Sequence, residues 1–302
     1  MKPDELRQQI TDQIVDALKQ GETPFWVRPW SDDPNCGSPV NLATQKGYRG
    51  INPLLLMWAG IKNKLTSRYW ASYQQWKSMG GQVRKGSKGT TVVFYRVFEK
   101  EARQSDDAAD RFFVLRHYTL FNLDQVDGEH LDKYRPGSAV DGTAECVRDQ
   151  WVVRADDAIT ATKAVIHYGG NKAYYDPSGD TIQIPHRTQF KELSEWYSTH
   201  FHELGHWACP RLDIKCEYAM GELIAELTSA FVSWQLDIPQ GQDLANVKAY
   251  LASWLRAMED DQKWILKAAA SASRAADLIL SFSAAGGKEA ETEREPESAD
   301  AA

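Results

Sequence analysis

The chain has few cysteines, which excludes a disulfide scaffold and a cysteine-based metal cluster. Its 302 residues contain four of them, at Cys36, Cys146, Cys209 and Cys216, and no two form a Cys-x-x-Cys pair. Small secreted domains and structural zinc sites use dense or regularly spaced cysteines instead. We therefore expect isolated thiols, and chemistry carried by other residue types.

Long apolar runs are also absent. The first residues, Met1 to Arg7, contain two acids, and no apolar run follows, so neither a signal peptide nor a membrane-spanning helix is predicted. We expect a cytoplasmic protein with no membrane partner. The glycine-rich segment 84–89 lacks the Gly-Lys-Ser/Thr ending of a nucleotide P-loop, which excludes that mode of ATP binding.

Charge is distributed unevenly along the sequence. Residues 1–100 contain 15 Lys and Arg against 8 Asp and Glu, although the whole chain carries a net charge of −7. The remaining residues therefore carry −14. A basic segment of this kind is typical of a region that binds nucleic acid through its phosphates.

The segment His202-Glu203-Leu204-Gly205-His206 carries the clearest chemical signal in the chain. Residues four apart lie on one face of an α-helix, so both imidazoles can reach a single cation. Glu203 lies beside them, where a carboxylate can serve as general base toward a water activated by the metal. This pattern predicts a zinc-dependent hydrolase site, and Pro210 is expected to stop the helix soon after it.

A catalytic zinc site needs a third protein ligand. Glu222 and Glu226 lie one helical turn apart in a later segment, whose Glu-x-x-Ala-Glu pattern resembles the second motif of gluzincin metallopeptidases. In gluzincins the first acid binds zinc and the second accepts a hydrogen bond from a ligand histidine. The resemblance therefore implies that Glu222 is the third ligand and that Glu226 supports an imidazole. Residue spacing alone leaves the reverse assignment open.

The predicted cofactor is Zn²⁺, with another divalent metal such as Mn²⁺ as the alternative. With Glu203 as the base, the predicted reaction is hydrolysis of a peptide bond. Residues 174–185 are predicted to form a hairpin just before the motif helix. Its second strand, 181–184, is expected either to lie at a sheet edge that could pair with a peptide substrate or to be merely structural.

The basic segment also contains tryptophans. Aromatic rings interleaved with cations suit single-stranded DNA, because bases stack on the rings while cations contact phosphates. Five tryptophans fall in this part of the chain: Trp26, Trp30, Trp58, Trp70 and Trp76. Core packing stays open as the alternative for Trp70 and Trp76 and is expected for Trp58. We interpret Ser67 to Lys77 as a helix, residues 80–89 as a basic glycine-rich loop and Thr90 to Val97 as a buried strand.

The chain resembles ArdC-type antirestriction proteins of conjugative plasmids. The resemblance lies in residues 41–55, 70–88 and 118–125 and in the C-terminal segment that carries the two metal-binding motifs. The family combines a single-strand DNA-binding domain, shared with plasmid TraC-type primases, with a metallopeptidase-like domain. Membership implies protection of incoming plasmid DNA from host restriction enzymes. The predicted DNA-binding residues are Tyr48, Arg49, Asn52, Arg68, Trp70, Trp76, Arg84, Lys85 and Lys88.

We therefore expect an α+β chain with two domains. An N-terminal α+β domain over 1–130 would bind single-stranded DNA, and a linker over 131–150 would follow it. A mostly helical gluzincin-like metallopeptidase domain with a small antiparallel sheet is expected over 151–285. Residues 286–302 are acidic, lack aromatic residues and branched aliphatics, and are expected to be a disordered tail.

Three functions fit these observations. The first is an antirestriction protein that binds single-stranded DNA and carries a zinc-dependent peptidase site, with a host restriction protein or another protein as its substrate. The second is a DNA-coating protein whose metal site is structural or vestigial. The third is a cytosolic metalloprotease recruited to DNA. Glu203 favours a working site, because a structural zinc site needs no general base.

Overall fold

The structure is a computed structural model that describes residues 2–20, 33, 35–99, 111–138, 144–239 and 245–283. Trp26, Trp30 and the predicted acidic tail lie outside the described residues. The chain divides into two compact units. The first comprises Met1–Asp16 and Asp33–Ala139, and the second comprises Ala17–Asp32 and Val140–Ala302. The two-domain α+β architecture is as predicted.

The first unit is built around a four-stranded sheet of β1 (Val40–Asn41), β2 (Tyr69–Ser72), β4 (Thr90–Glu99) and β5 (Arg111–Asn122), in the order β1-β2-β5-β4. Two short strands, β3 (Gln82–Val83) within the predicted glycine-rich loop and β6 (Val126–Asp127), pair antiparallel with each other. Strands β2 and β5, and β5 and β4, pair antiparallel, whereas β1 and β2 are parallel. Helix α1 (Pro3–Gln20) precedes the sheet, and helix α2 (Asn52–Asn63) packs against β4.

The segment Ser67 to Lys77 was predicted to be a single helix, but it contains a strand followed by a helix. Residues 69–72 form strand β2, and helix α3 (Tyr73–Ser78) begins immediately after them. The change occurs at Ser72, whose hydroxyl accepts from the Gln75 amide while the Gln75 side chain accepts from the Ser72 amide. This reciprocal cap starts a helix, and the neighbouring strands hold the preceding residues extended.

Asn52 anchors α2 to the outer edge of the sheet. Its side-chain amide donates to the Val93 carbonyl and its side-chain oxygen accepts from the Val93 amide, both at 2.8 Å. Strand β4 is at the edge of this sheet, and no strand among the described residues pairs with these backbone groups. Asn52 is 4% exposed. The structure therefore assigns it a structural contact in place of the predicted contact with DNA.

Replacing Asn52 with alanine is expected to lower the free energy of unfolding by about 1–3 kcal/mol, because Val93 loses partners for two buried backbone groups. Guanidinium unfolding followed by circular dichroism measures this. Asn63 on the same helix is the control, since its amide donates to the helical Ala59 carbonyl and the residue is exposed. If Asn52→Ala were as stable as the wild type but no longer bound DNA, the prediction that Asn52 contacts DNA would be correct.

Residues 131–138, expected in the linker, pack with the first unit. A 3-10 helix over Glu129–Tyr134 buries Leu131 in the cluster that contains Trp76 and Val126. The Asn35 side-chain amide donates to the Arg135 carbonyl at 3.1 Å. Residues 144–150 likewise differ from the expected linker, because they begin helix α4 (Ala144–Ala161).

The second unit is mostly helical. After α4 come α5 (Leu193–Arg211), α6 (Tyr218–Gln235), α7 (Ala245–Asp260) and α8 (Trp264–Ser281). Helix α5 packs on α6, and α6 packs on α8. Pro210 lies inside the last turn of α5, and the helix ends at Arg211, one residue beyond the predicted stop. Within the described residues, no helix is both long and apolar enough to span a bilayer.

A small sheet of order β7-β9-β8 precedes α5 and is formed by β7 (Val165–Tyr168), β8 (Tyr174–Asp176) and β9 (Thr181–Ile184). The predicted hairpin is present, because β8 and β9 pair antiparallel. The sheet as a whole is mixed instead of antiparallel, since β7 pairs parallel with β9. Strand β9 is thus central, and the edge expected at residues 181–184 belongs instead to β7 and β8.

Candidate functional site

Helix α5 carries core residues on one face and the histidines of the motif on another. Tyr197, Phe201 and Leu204 are at most 1% exposed and form its buried side. The side chains of His202 and His206 are 19% and 23% exposed. Their rings are 5.0 Å apart between centroids, as helical spacing predicts.

Helix α6 brings both acids of the second motif to these histidines. Glu222 Oε2 is 3.7 Å from His202 Nε2, and Glu222 Oε1 is 3.5 Å from His206 Nε2. Glu226 Oε2 is 3.6 Å from the other ring nitrogen of His202, Nδ1. The potential ligand atoms of His202, His206 and Glu222 all lie within 4.8 Å of one another. Two imidazole nitrogens and one carboxylate oxygen are a donor set that zinc and manganese accept.

The two acids therefore face different edges of the same imidazole. Glu222 shares the Nε2 side with His206, where a cation can be bound by all three residues. Glu226 lies on the Nδ1 side, where a carboxylate can accept a proton and orient the ring. This geometry matches the arrangement that the gluzincin resemblance implies, and it favours Glu222 as the third ligand.

The carboxylates concentrate negative potential at this point. Burial alone would lower the pKa of His202, but Glu222 and Glu226 outweigh burial and raise that pKa to about 10. Burial and the nearby His202 lower the pKa of His206 to about 4. Burial would raise the pKa of Glu222, yet its contacts with the histidines hold the pKa below its ordinary value. The site favours positive charge, which a proton or a divalent metal can provide.

Glu203 lies next to the metal-binding residues and is 6% exposed. Burial raises the pKa of its carboxyl group, and the charge on His202 opposes that shift. The carboxylate also accepts a hydrogen bond from the backbone amide of Tyr175 in β8. Glu203 is thus a carboxylate in a partly desolvated position, which is how proteins keep a carboxylate basic enough to move protons.

A set of contacts joins the β8–β9 turn to the end of α5. The Arg211 guanidinium donates to both oxygens of Asp180, at 3.1 and 2.6 Å, and its carbon lies 3.7 Å from the centre of the Trp207 ring. The Tyr175 hydroxyl donates to Asp180 at 2.9 Å. These contacts hold β8 beside Glu203, and the Arg211–Asp180 pair joins residues too far apart in the sequence for a motif to indicate it.

Gly205 allows the two ligand-bearing helices to approach closely. A Cβ atom at this position would lie 2.9 Å from Ala225 Cα and 3.2 Å from Thr228 Cβ on α6. The first of these atoms is backbone and cannot move away without shifting the helix. The glycine within the His-Glu-x-x-His motif is therefore what sets the separation between the histidines and Glu222.

Several predicted DNA-binding residues make contacts within the first unit. Trp70 and Trp76 are 2% and 0% exposed, so the core-packing alternative is correct for both and no base can stack on them. The Tyr48 hydroxyl donates to the Trp70 carbonyl at 3.3 Å, and burial raises its pKa. The Arg68 side chain is half-buried and donates to the Ser38 carbonyl. Spacing in the sequence could not distinguish rings in the core from rings at the surface.

The predicted glycine-rich loop presents two lysines to solvent. Its backbone is held by the Gln125 side chain, whose amide donates to the Lys88 carbonyl at 2.9 Å. Arg84 is occupied by Asp127 and by the Asp124 carbonyl. Lys85 and Lys88 are exposed, and in the part of the chain that the structure describes neither forms an ion pair. Arg49 is exposed as well.

Comparison with known proteins accounts for both units. Residues 4–121 match the N-terminal domain of anti-restriction factor ArdC, and residues 153–271 match a zincin-like metallopeptidase domain. The Mn(II)-bound crystal structure of the antirestriction ArdC protein from plasmid R388 is 36% identical, covers 92% of this chain and 98% of its own, and gives a TM-score of 0.73. The chain belongs to the ArdC antirestriction family. The resemblance noted in the sequence is thereby confirmed.

Other relatives are similar over most of this ArdC-family chain. The metal-free structure of the R388 protein is 35% identical, covers 92% of this chain and 97% of its own, and gives a TM-score of 0.71. An uncharacterized Sinorhizobium fredii protein, y4eC, is 33% identical over 294 residues, 92% of each chain. A DNA primase TraC of Escherichia coli is 34% identical over 303 residues, 90% of this chain but only 20% of the primase. A divalent metal is the cofactor class these findings support.

Proposed function

We propose that this ArdC-family protein binds single-stranded DNA during plasmid conjugation, protects that DNA from host restriction and carries a zinc-dependent metallopeptidase site. The cluster of His202, His206 and Glu222, with Glu203 beside it, is the observation that carries the peptidase part. The basic first unit and its similarity to TraC primases support the DNA-binding part. We propose zinc as the metal, with manganese as the alternative.

His202 Nε2, His206 Nε2 and one oxygen of Glu222 are the atoms that would hold the metal. A divalent metal at this point would polarise a peptide carbonyl and make water a stronger nucleophile near neutral pH. Glu226 keeps the His202 ring in place by facing Nδ1. Substituting a ligand should remove the metal, whereas substituting Glu226 should only weaken its binding.

Glu203 would take the proton from water and later return it to the leaving amine. Its burial disfavours the charged carboxylate, which raises its proton affinity, while the Tyr175 amide orients it. Tyr218 is the residue we propose as the donor to a developing oxyanion. It is 70% exposed, and its hydroxyl is 2.7 Å from the Tyr250 hydroxyl. A hydrogen bond between Tyr218 and Glu222 contributes to the lowered pKa of the Glu222 carboxyl, so Tyr218 lies next to the proposed ligands.

Plasmid transfer into restricting and non-restricting recipients tests the proposed function. We expect Glu203→Gln to lose protection in restricting recipients and to leave transfer into non-restricting recipients unchanged. The reason is that a general base contributes about 10²–10⁴-fold to hydrolysis, so removing it leaves little activity. The double variant Lys85→Ala/Lys88→Ala should lose protection in the same way by weakening DNA binding.

The controls are folding, metal content and DNA binding of each purified variant. Glu203→Gln should keep its metal and its affinity for single-stranded DNA. Protection that survives in Glu203→Gln but fails in the lysine variant would show that DNA coating carries the function and that the peptidase part of the proposal is wrong. Protection that survives in both variants would overturn the proposal for both units.

A further inference from the structure

Two aromatic side chains on the β4–β5 pair face solvent. Phe94 and Tyr118 are 42% and 52% exposed, and their rings meet edge to face at a centroid distance of 5.3 Å. Exposed aromatic rings that lie together form the kind of apolar patch that often marks an interaction site. Neither residue is among those that the sequence pattern selected, since tryptophans dominated that pattern.

The pairing register places an arginine beside these rings. Phe94 is directly opposite Arg116, and Tyr118 is opposite Val92, so all four side chains leave the same face of the two strands. Arg116 is exposed. The described side chains of the two strands, over residues 90–94 and 115–122, include no carboxylate. We call Phe94, Arg116 and Tyr118 the aromatic platform.

The strands that carry the platform are anchored in the core. Val92 and Leu120, which share its face, are 0% and 4% exposed and pack against Leu56 and Trp70. The Asn52 side chain binds both backbone groups of Val93, the residue before Phe94. The backbone beneath the rings is therefore already ordered, which reduces the entropy lost when a ligand binds there.

Arg116 is the cation beside these rings, because it lies directly opposite Phe94 and is exposed. Single-stranded nucleic acids bind where bases can stack on aromatic rings while cations contact phosphates. Rings and a cation on one face of the strands provide both kinds of contact.

We infer that the aromatic platform of Phe94, Arg116 and Tyr118 binds single-stranded DNA, with unpaired bases stacked on the two rings and Arg116 contacting phosphates. This inference rests on the proposed DNA-binding function and assigns it to a surface. Base faces are available for stacking only when they are unpaired, so duplex DNA is a poor ligand for the platform. The absence of carboxylates on the described face disfavours a basic protein partner.

Fluorescence anisotropy with a labelled oligothymidylate tests the platform. Phe94→Ala and Tyr118→Ala are each expected to weaken binding about tenfold, because stacking on one ring contributes about that much per base. The slope of log affinity against log salt should stay nearly unchanged for both. Arg116→Ala should weaken binding and lower that slope by about one, since one phosphate contact is lost.

Tyr73→Ala is the matched control for the rings, because Tyr73 is 45% exposed on the same unit and lies on α3. Lys77→Ala is the control for the cation. Thermal melting establishes that the exposed substitutions leave the fold intact. Both controls should bind like the wild type.

Failure of the platform and failure of DNA binding give different results. A wild-type protein that does not bind the oligothymidylate would overturn the proposed function together with the platform. Wild-type binding that is unchanged in all three platform variants would overturn the platform alone. A change in oligomeric state by light scattering, with unchanged DNA affinity, would show instead that the face joins two copies of the chain.

Discussion

Glu222→Ala is expected to abolish stoichiometric binding of a divalent metal by the purified protein. The substitution removes the only acid that faces Nε2 of both histidines among the described residues. Glu226→Ala should retain one metal per chain with an affinity about 10- to 100-fold lower, because it removes the group that orients His202 without removing a ligand. Isothermal titration with zinc and with manganese, combined with elemental analysis, measures both effects.

The two variants control for each other, because each removes one carboxylate from α6 and the two positions are one turn apart. Glu195→Ala provides a further control, because Glu195 lies on α5 away from the motif. Its metal affinity should equal that of the wild type. Loss of metal in Glu226→Ala with only weakened binding in Glu222→Ala would exchange the two roles.

Gly205→Ala is expected to lower both stability and metal affinity without altering any ligand. The added methyl group would lie 2.9 Å from Ala225 Cα, so α5 and α6 must separate. Overpacking of this kind costs about 1–3 kcal/mol, which exceeds the gain of up to about 1 kcal/mol from replacing a helical glycine. Unfolding by guanidinium and metal titration on the same samples measure the two effects.

Gly221→Ala is the matched control for the helix. Gly221 lies within α6 next to Glu222, but the nearest atom to an added methyl group is Cys216 Sγ at 3.6 Å, an ordinary contact. This variant should be as stable as the wild type or more stable by up to about 1 kcal/mol, with unchanged metal affinity. Equal effects of the two substitutions would mean that helix separation at Gly205 does not set the metal site.

The second unit was predicted more closely than the first because its signals are local. Helical periodicity places His202 and His206 together regardless of the rest of the fold, and the motif of α6 follows the same periodicity. Strand β7 was missed, because Val165–Tyr168 is short and pairs in parallel with β9. That pairing moved β9 to the centre of the sheet and left β8 next to Glu203.

The first unit shows the opposite case. Tryptophans among cations are compatible with base stacking and also with core packing. The burial of Trp70 and Trp76 shows that both pack in the core. Asn52 has the hydrogen-bonding groups of a DNA contact, but the edge of β4 uses both. The rings that do face solvent, Phe94 and Tyr118, are ordinary strand residues in the sequence.

The sequence by itself determined the family, through motifs spread over most of the chain, and it predicted the metal ligands and the general base from residue types at helical spacing. Only the tertiary structure decided which acid faces which nitrogen of His202, and which aromatic residues of the basic unit are exposed. Both depend on contacts between segments distant in the chain. The close approach at Gly205 brings α6 and its two acids to the histidines of α5. Packing of α2 on the sheet buries Trp70, and a separate cluster with Leu123 and Val126 buries Trp76.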